Sequence, residues 1–105
     1  MQRGEVRWYR FSDPDKTRPV LILTRNSVIE YLGEVTIAPI TSTVRDIASE
    51  VVLTEEDGMA RTCAVNLDHV QTVPKARLGA LITTLPSTRM REVRGALLFA
   101  LGYRE

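Results

Sequence analysis

The chain opens on an alternating segment. In "GEVRWYRF", Gly4 to Phe11, Val6, Trp8 and Arg10 fall on one face, and Arg7, Tyr9 and Phe11 on the other. The residue types favour a strand. "SDPDKT", Ser12 to Thr17, is a turn by composition. "RPVLILT", Arg18 to Thr24, is apolar almost throughout, as in a strand buried on both faces or central in a sheet. Pro19 has no N–H for a ladder, which places it at the strand's start. "RNSVIEYLG" reads as a loop with a helical turn, and "EVTIAPITS", Glu34 to Ser42, as a third strand bent or ended by Pro39. "EVVLT", Glu50 to Thr54, is a short strand, and "EEDG" is a solvated turn with Gly58 left-handed. "RTCAVNLDHVQTV", Arg61 to Val73, holds one or two strands, with Cys63, Val65 and Leu67 on one face. "RLGALI", Arg77 to Ile82, is the last strand. The period then changes. Met90, Val93, Leu97 and Leu101 recur at helical spacing, with Pro86 and Ser87 at the start and Gly102 at the stop. Short strands followed by one helix predict a barrel-like sheet with a packed helix.

The 105 residues suit one domain, spanning 1–105, and an apolar share of 44% is enough for a core. A net charge of +1 means that any nucleic-acid site is a local patch. Twelve of the 14 cations are arginines, the exceptions being Lys16 and Lys75. Arginine matches phosphate and stacks on bases; high-GC codon usage gives the same bias without functional meaning. Arg89 and Arg91 fall in the first helical turn, where the macrodipole disfavours cations. They belong to a solvated face or face an acidic partner. The lone Cys63 forbids an internal disulfide. No signal segment or membrane-length apolar run is present, so the expected location is cytoplasmic, with no membrane partner.

Several chemistries lack their residues. One cysteine and one histidine do not make a zinc site. No Walker loop or dinucleotide turn occurs. His69 reads as a strand residue with a local hydrogen bond, and the acids at 55–57 do not announce a metal cluster. Neither metal nor organic cofactor is expected. Trp8 reads mainly as a core residue, although Trp8 with Arg7 and Arg10, and Tyr31 with Arg25, could stack unpaired bases. The conspicuous residue is Arg18, a permanent cation at the mouth of an apolar strand. A surface salt bridge to Asp13 or Asp15 would explain it; so would a phosphate.

Three ordered blocks, "RGEVRWYRF", "RPVLILTRN" and "IAPITST", resemble the MazF/PemK family, toxin endoribonucleases of bacterial type II toxin–antitoxin systems. "CAVNLDHVQTVPKARL" and the closing helix ending in "ALG" extend the resemblance over nearly the whole chain. It implies a mainly β fold with a C-terminal α-helix, an SH3-like β-barrel of the PemK/CcdB type. It implies a homodimer, a single-stranded RNA substrate in a groove at the dimer interface, and a MazE-like antitoxin whose flexible tail occupies that groove. A non-catalytic, CcdB-like toxin that binds a protein such as gyrase is the alternative; "RPVLIL" and "APITST" favour the nuclease.

Carried over position by position, the resemblance makes Arg18 and Thr41 catalytic. Ser42, Lys16 and Arg25 are expected at RNA phosphates, and Asp68 matches loosely a polar family position. Two departures bear on the substrate. "SDPDKT" is shorter than the family's usual loop, and the first helical turn is more basic, so a structured RNA such as tRNA joins mRNA and rRNA as a candidate. The general base is not identified by these residues.

Overall fold

A computed structural model describes residues 1–11 and 16–104, so most of the "SDPDKT" turn, with Asp13 and Asp15, lies outside the described residues. The strands are β1 (Glu5–Arg10), β2 (Thr17–Ile22), β3 (Glu34–Thr41), β4 (Glu50–Leu53), β5 (Cys63–Asn66), β6 (Gln71–Pro74) and β7 (Leu78–Thr84). Helix α1 (Asn26–Ile29) is one turn in the second loop, and α2 (Ser87–Leu101) closes the chain. Short 3₁₀ turns cover Glu55–Asp57, Leu67–His69 and Lys75–Arg77. The sheet runs β4-β5-β3-β2-β1-β7, with β6 also on β3, and every pairing is antiparallel. The order is open rather than closed. Even so, extents of 30 × 29 × 24 Å leave no long flat dimension, so the strands wrap as a partial barrel.

The apolar run of β2 explains its place. Leu21 is fully buried in one cluster with Val6, Ala38 and Ile40, while Val20 and Ile22 are fully buried in another with Tyr9, Val35 and Ile37. A strand that feeds cores on both faces needs no polar alternation. β1 has the same two-sided role, with Val6 in the first cluster and Tyr9 in the second. Trp8 departs from expectation. It lies 42% exposed, opposite Pro19 in the middle of the β1–β2 ladder, as a wall of a surface hollow.

Pro39 does not end its strand. β6 pairs with β3 up to Ile37, and β5 takes over from Ile40. Pro39 occupies the gap between these partners, where no N–H is required on that side. Of the one or two strands expected in 61–73, the structure has two, separated by the turn that carries His69.

Helix α2 lays Val93 and Ala96 into the first core, with Met90, Leu97 and Ala100 partly buried beside them. Leu101, expected on that face, is 55% exposed because it is the helix's last residue. Gly102 ends the helix at φ 79°, the left-handed cap that glycine adopts freely. Among the described residues no helix is long and apolar enough to cross a membrane.

The acids at 55–57 are not simply solvated, and Arg89 is not an idle surface cation. Arg89 donates from Nε and Nη2 to the two carboxylate oxygens of Asp57, at 2.9 and 3.0 Å. It also donates to Glu92 at 3.1 Å. Asp57 accepts the Thr54 N–H at 2.9 Å, completing a capping box. The turn is thereby tied to α2. Gly58 follows at φ 92°, where a Cβ would collide with the Thr83 hydroxyl.

The Arg89 guanidinium holds the Asp57 carboxyl below the ordinary carboxylate range. A depressed acid contributes stability above its unfolded pKa, near pH ~4, and loses it as pH falls through the folded value. Arg89→Gln should therefore cost about 1.5–3 kcal/mol at pH 7, the range for hydrogen bonds to charged groups. The gap to wild type should narrow below pH ~4. Urea unfolding at several pH values checks this; a gap that stays constant into acid would refute it.

Candidate active site

Arg18 and Thr41 meet at one end of the β2–β3 ladder. The recorded register pairs Ile22 with Ile37, Leu21 with Ala38 and Val20 with Pro39. Carried two residues further, it sets Arg18 opposite Thr41. Both residues line two adjoining hollows, with Ile40 between them. The first hollow, about 300 Å³, is walled by Trp8, Pro19, Ser42, Met59, Arg61 and Ile82. The second, about 430 Å³, is more polar, with Phe11, Lys16, Arg45, Asn66 and His69. The Asp57–Arg89 anchor helps set the first wall, since Met59 and Arg61 follow Gly58 directly.

Local chemistry at the ridge suits an anion. The Arg18 side chain is exposed and has no ion-pair or hydrogen-bond partner among the described residues. The Thr41 hydroxyl oxygen accepts the Thr43 N–H at 3.1 Å. Its own O–H is left to donate outward. Thr41 is half-buried on a strand, and β-branching restricts its rotamer. Cys63 also lines the first hollow, but it is buried, and that burial pushes its thiol pKa up, away from thiolate reactivity. Among the described residues no three His, Cys, Asp or Glu side chains gather as a metal-ligand set.

The scaffold absorbs part of the arginine excess. Arg3 donates to the Leu23 carbonyl at 2.8 Å, Arg7 pairs with Glu5 at 2.7 Å, and Arg77 donates to the Arg10 carbonyl at 3.0 Å while lying over the Tyr9 ring. Lys75 holds the end of α1 through the Ile29 carbonyl at 2.8 Å. Arg18, Lys16, Arg45 and Arg61 instead gather at the hollows. Not every expected residue joins them. Arg25 lies beyond the other end of β2, roughly 20 Å along an extended chain from Arg18, and lines a separate hollow of about 650 Å³ with Arg3, Leu32 and Leu97. Asp68 is exposed and accepts the Ser49 hydroxyl, outside both hollows. Its neighbours Asn66 and His69 line the second hollow in its place.

A family model for PemK-like, MazF-like toxins of type II toxin–antitoxin systems matches residues 2–101. The chain belongs to this family. A stretch of 68 residues is 48% identical to endoribonuclease MazF3 of Mycobacterium tuberculosis, covering 65% of this chain and 66% of that protein. Probable endoribonuclease MazF5 of the same organism is 41% identical over 94% of this chain and 91% of its own. Among solved structures, the M. tuberculosis toxin MazF-mt6 superposes with a TM-score of 0.88 at 36% identity, covering 96% and 99% of the two chains. A mycobacterial endoribonuclease in complex with its cognate antitoxin superposes at 0.89 with 26% identity, covering 100% and 98%. For a PemK/MazF-like chain, then, the expected fold stands: a mainly β sheet with a C-terminal helix.

Nothing in the sequence singles out Arg45, Arg61 or Asn66 as site residues, and Trp8, open to base stacking by its neighbours, reads mainly as core. Arg45 sits in a polar connection that carries no periodicity, and Arg61 is only the first residue of a segment read as strand. Asn66 looked like one position of an alternating strand. Their convergence depends on β3 having β2 on one side and β5 on the other.

Proposed function

We propose that this PemK/MazF-like toxin is an endoribonuclease that cleaves single-stranded RNA at the ridge formed by Arg18 and Thr41. The observation that carries the reading is that these two residues, far apart in the chain, flank the end of the β2–β3 ladder and share both hollows. The family match and the endoribonuclease relatives support it, and the CcdB-like alternative of a non-catalytic protein binder is not favoured by them. The working unit is a homodimer, and a MazE-like antitoxin covers the groove; antitoxin complexes among the solved relatives support the second point. The location is the cytoplasm, where RNA and antitoxin are found together.

In this reaction the ribose 2′-OH attacks the adjacent phosphorus in line and the 5′-oxygen leaves. The ends are a 2′,3′-cyclic phosphate and a 5′-OH. Negative charge grows on the non-bridging oxygens, and the Arg18 guanidinium can grip two of them at once. Thr41 donates a further hydrogen bond from a stiff strand position. Ser42 and Lys16, at the rims of the two hollows, hold flanking phosphates. The test is incubation with mixed mRNA and tRNA in excess EDTA, beside Arg18→Ala, with sequencing of the new ends. Cuts by wild type alone, ending in 5′-OH, support the reading; intact RNA from folded protein overturns it.

Trp8 supplies the flat surface next to the ridge. An unpaired base stacked on it leaves water for an apolar wall of Pro19, Met59 and Ile82. Trp8→Ala should weaken RNA binding by about 1–3 kcal/mol, the usual worth of one base–aromatic stack. Fluorescence titration of Arg18→Ala with and without the Trp8 change measures it, and equal affinities would dismiss the stack.

A further inference from the structure

We infer that His69 is a further catalytic residue, a neutral hydrogen-bond donor to a non-bridging oxygen of the scissile phosphate. The inference rests on the endoribonuclease reading above.

The argument begins with Asn66, the last residue of β5. Its side chain is almost wholly buried and lines the second hollow. Asn66 Oδ1 accepts the Asp68 N–H at 3.0 Å, which caps the 3₁₀ turn that follows. That bond fixes which way the amide points. Its Nδ2 is then directed at His69 Nδ1, 3.3 Å away. An amide N–H₂ only donates, so Nδ1 must accept and carries no proton. The ring proton therefore sits on Nε2, the nitrogen left for a ligand. His69 lines the same hollow as Arg18 and Thr41, and its ring is exposed.

This arrangement rules out one role and supports another. A general base at Nε2 would need the other tautomer, with two donors facing each other at Nδ1. An Nε2–H group needs no proton transfer to work. It stabilises the charge that builds on phosphate as the 2′-oxygen–phosphorus bond forms and the phosphorus–5′-oxygen bond breaks. Besides Arg18, the second hollow's charged side chains are the long-stemmed cations Lys16 and Arg45. An imidazole braced by a buried amide is more preorganised than either. Asn66 acts only through His69 and is a positioning residue.

The test uses single-turnover cleavage of an oligoribonucleotide that wild type cuts, made also with sulfur at each non-bridging oxygen in turn. Sulfur is a poor hydrogen-bond acceptor. His69→Ala should lower the rate about 10–100-fold, somewhat less than the loss of a full oxyanion-hole donor. His69→Gln, which keeps an N–H donor, should recover part of it. One sulfur diastereomer should slow wild type more than it slows His69→Ala, because the contact it disrupts is already gone. Unchanged rates in both variants, or equal sulfur effects in wild type and His69→Ala, overturn the role of His69 while leaving the nuclease intact. A wild type that cuts no RNA overturns the underlying reading instead. Melting curves of the variants should stay close to wild type, since the ring is exposed and the Asn66 amide opens on the hollow, where water can take the place of His69.

Discussion

Replacing Arg18 with alanine should lower RNA cleavage by at least about 10²–10³-fold, the usual cost of losing one preorganised charge-stabilising group. The melting temperature should stay where it is. The two halves of this result have separate causes. The side chain is exposed, and its removal breaks no hydrogen bond or ion pair among the described residues. Its backbone position is stiff, because Arg18 pairs with Tyr9 and precedes Pro19. In the proposed reaction the guanidinium would reach the phosphate from a fixed base, and lysine should rescue poorly because it lacks the planar fork. Thr41→Ala should move in the same direction with a smaller effect, since it removes one neutral donor. Rates from single-turnover cleavage, read beside melting curves, decide the matter. A variant that cuts at full rate, or one that unfolds, would remove Arg18 from the mechanism.

Leu21→Ala should destabilise the fold by about 2–5 kcal/mol, as for large-to-small changes at fully buried sites. That is a large part of the about 5–15 kcal/mol that holds a typical domain together. Leu21 is fully buried and sits between Val6 on β1 and Ala38 on β3. Rigid ladders on both sides limit how far the cavity can collapse, which places the cost toward the upper part of the range. Urea unfolding gives the number, and a loss below about 1 kcal/mol would mean that the core closes over the gap. The consequence for function is indirect. Leu21 lies three residues from Arg18 on the same strand, so activity should fall in step with the folded fraction as temperature rises, and not before.

Much of the chain could be read without coordinates. The period-3.6 stripe of Met90, Val93 and Leu97 announced α2, and the unbroken apolar run from Val20 to Leu23 announced a strand buried on both faces. These features are local: a few consecutive side chains carry them. The ordered blocks around Arg18 and Thr41 carried the family and the two ridge residues in the same way. Tertiary structure decided what depends on registers between distant segments. It put Trp8 on the surface opposite Pro19, let β3 pass through Pro39 by changing partners, and turned Arg89 into the clasp of Asp57. It moved Arg25 and Asp68 away from the ridge and brought Asn66 and His69 to it. Periodicity reports which way a side chain faces within its own element. Which other element it meets is set by strand order and register, and in this protein that decides which cations serve the fold and which gather at the hollows.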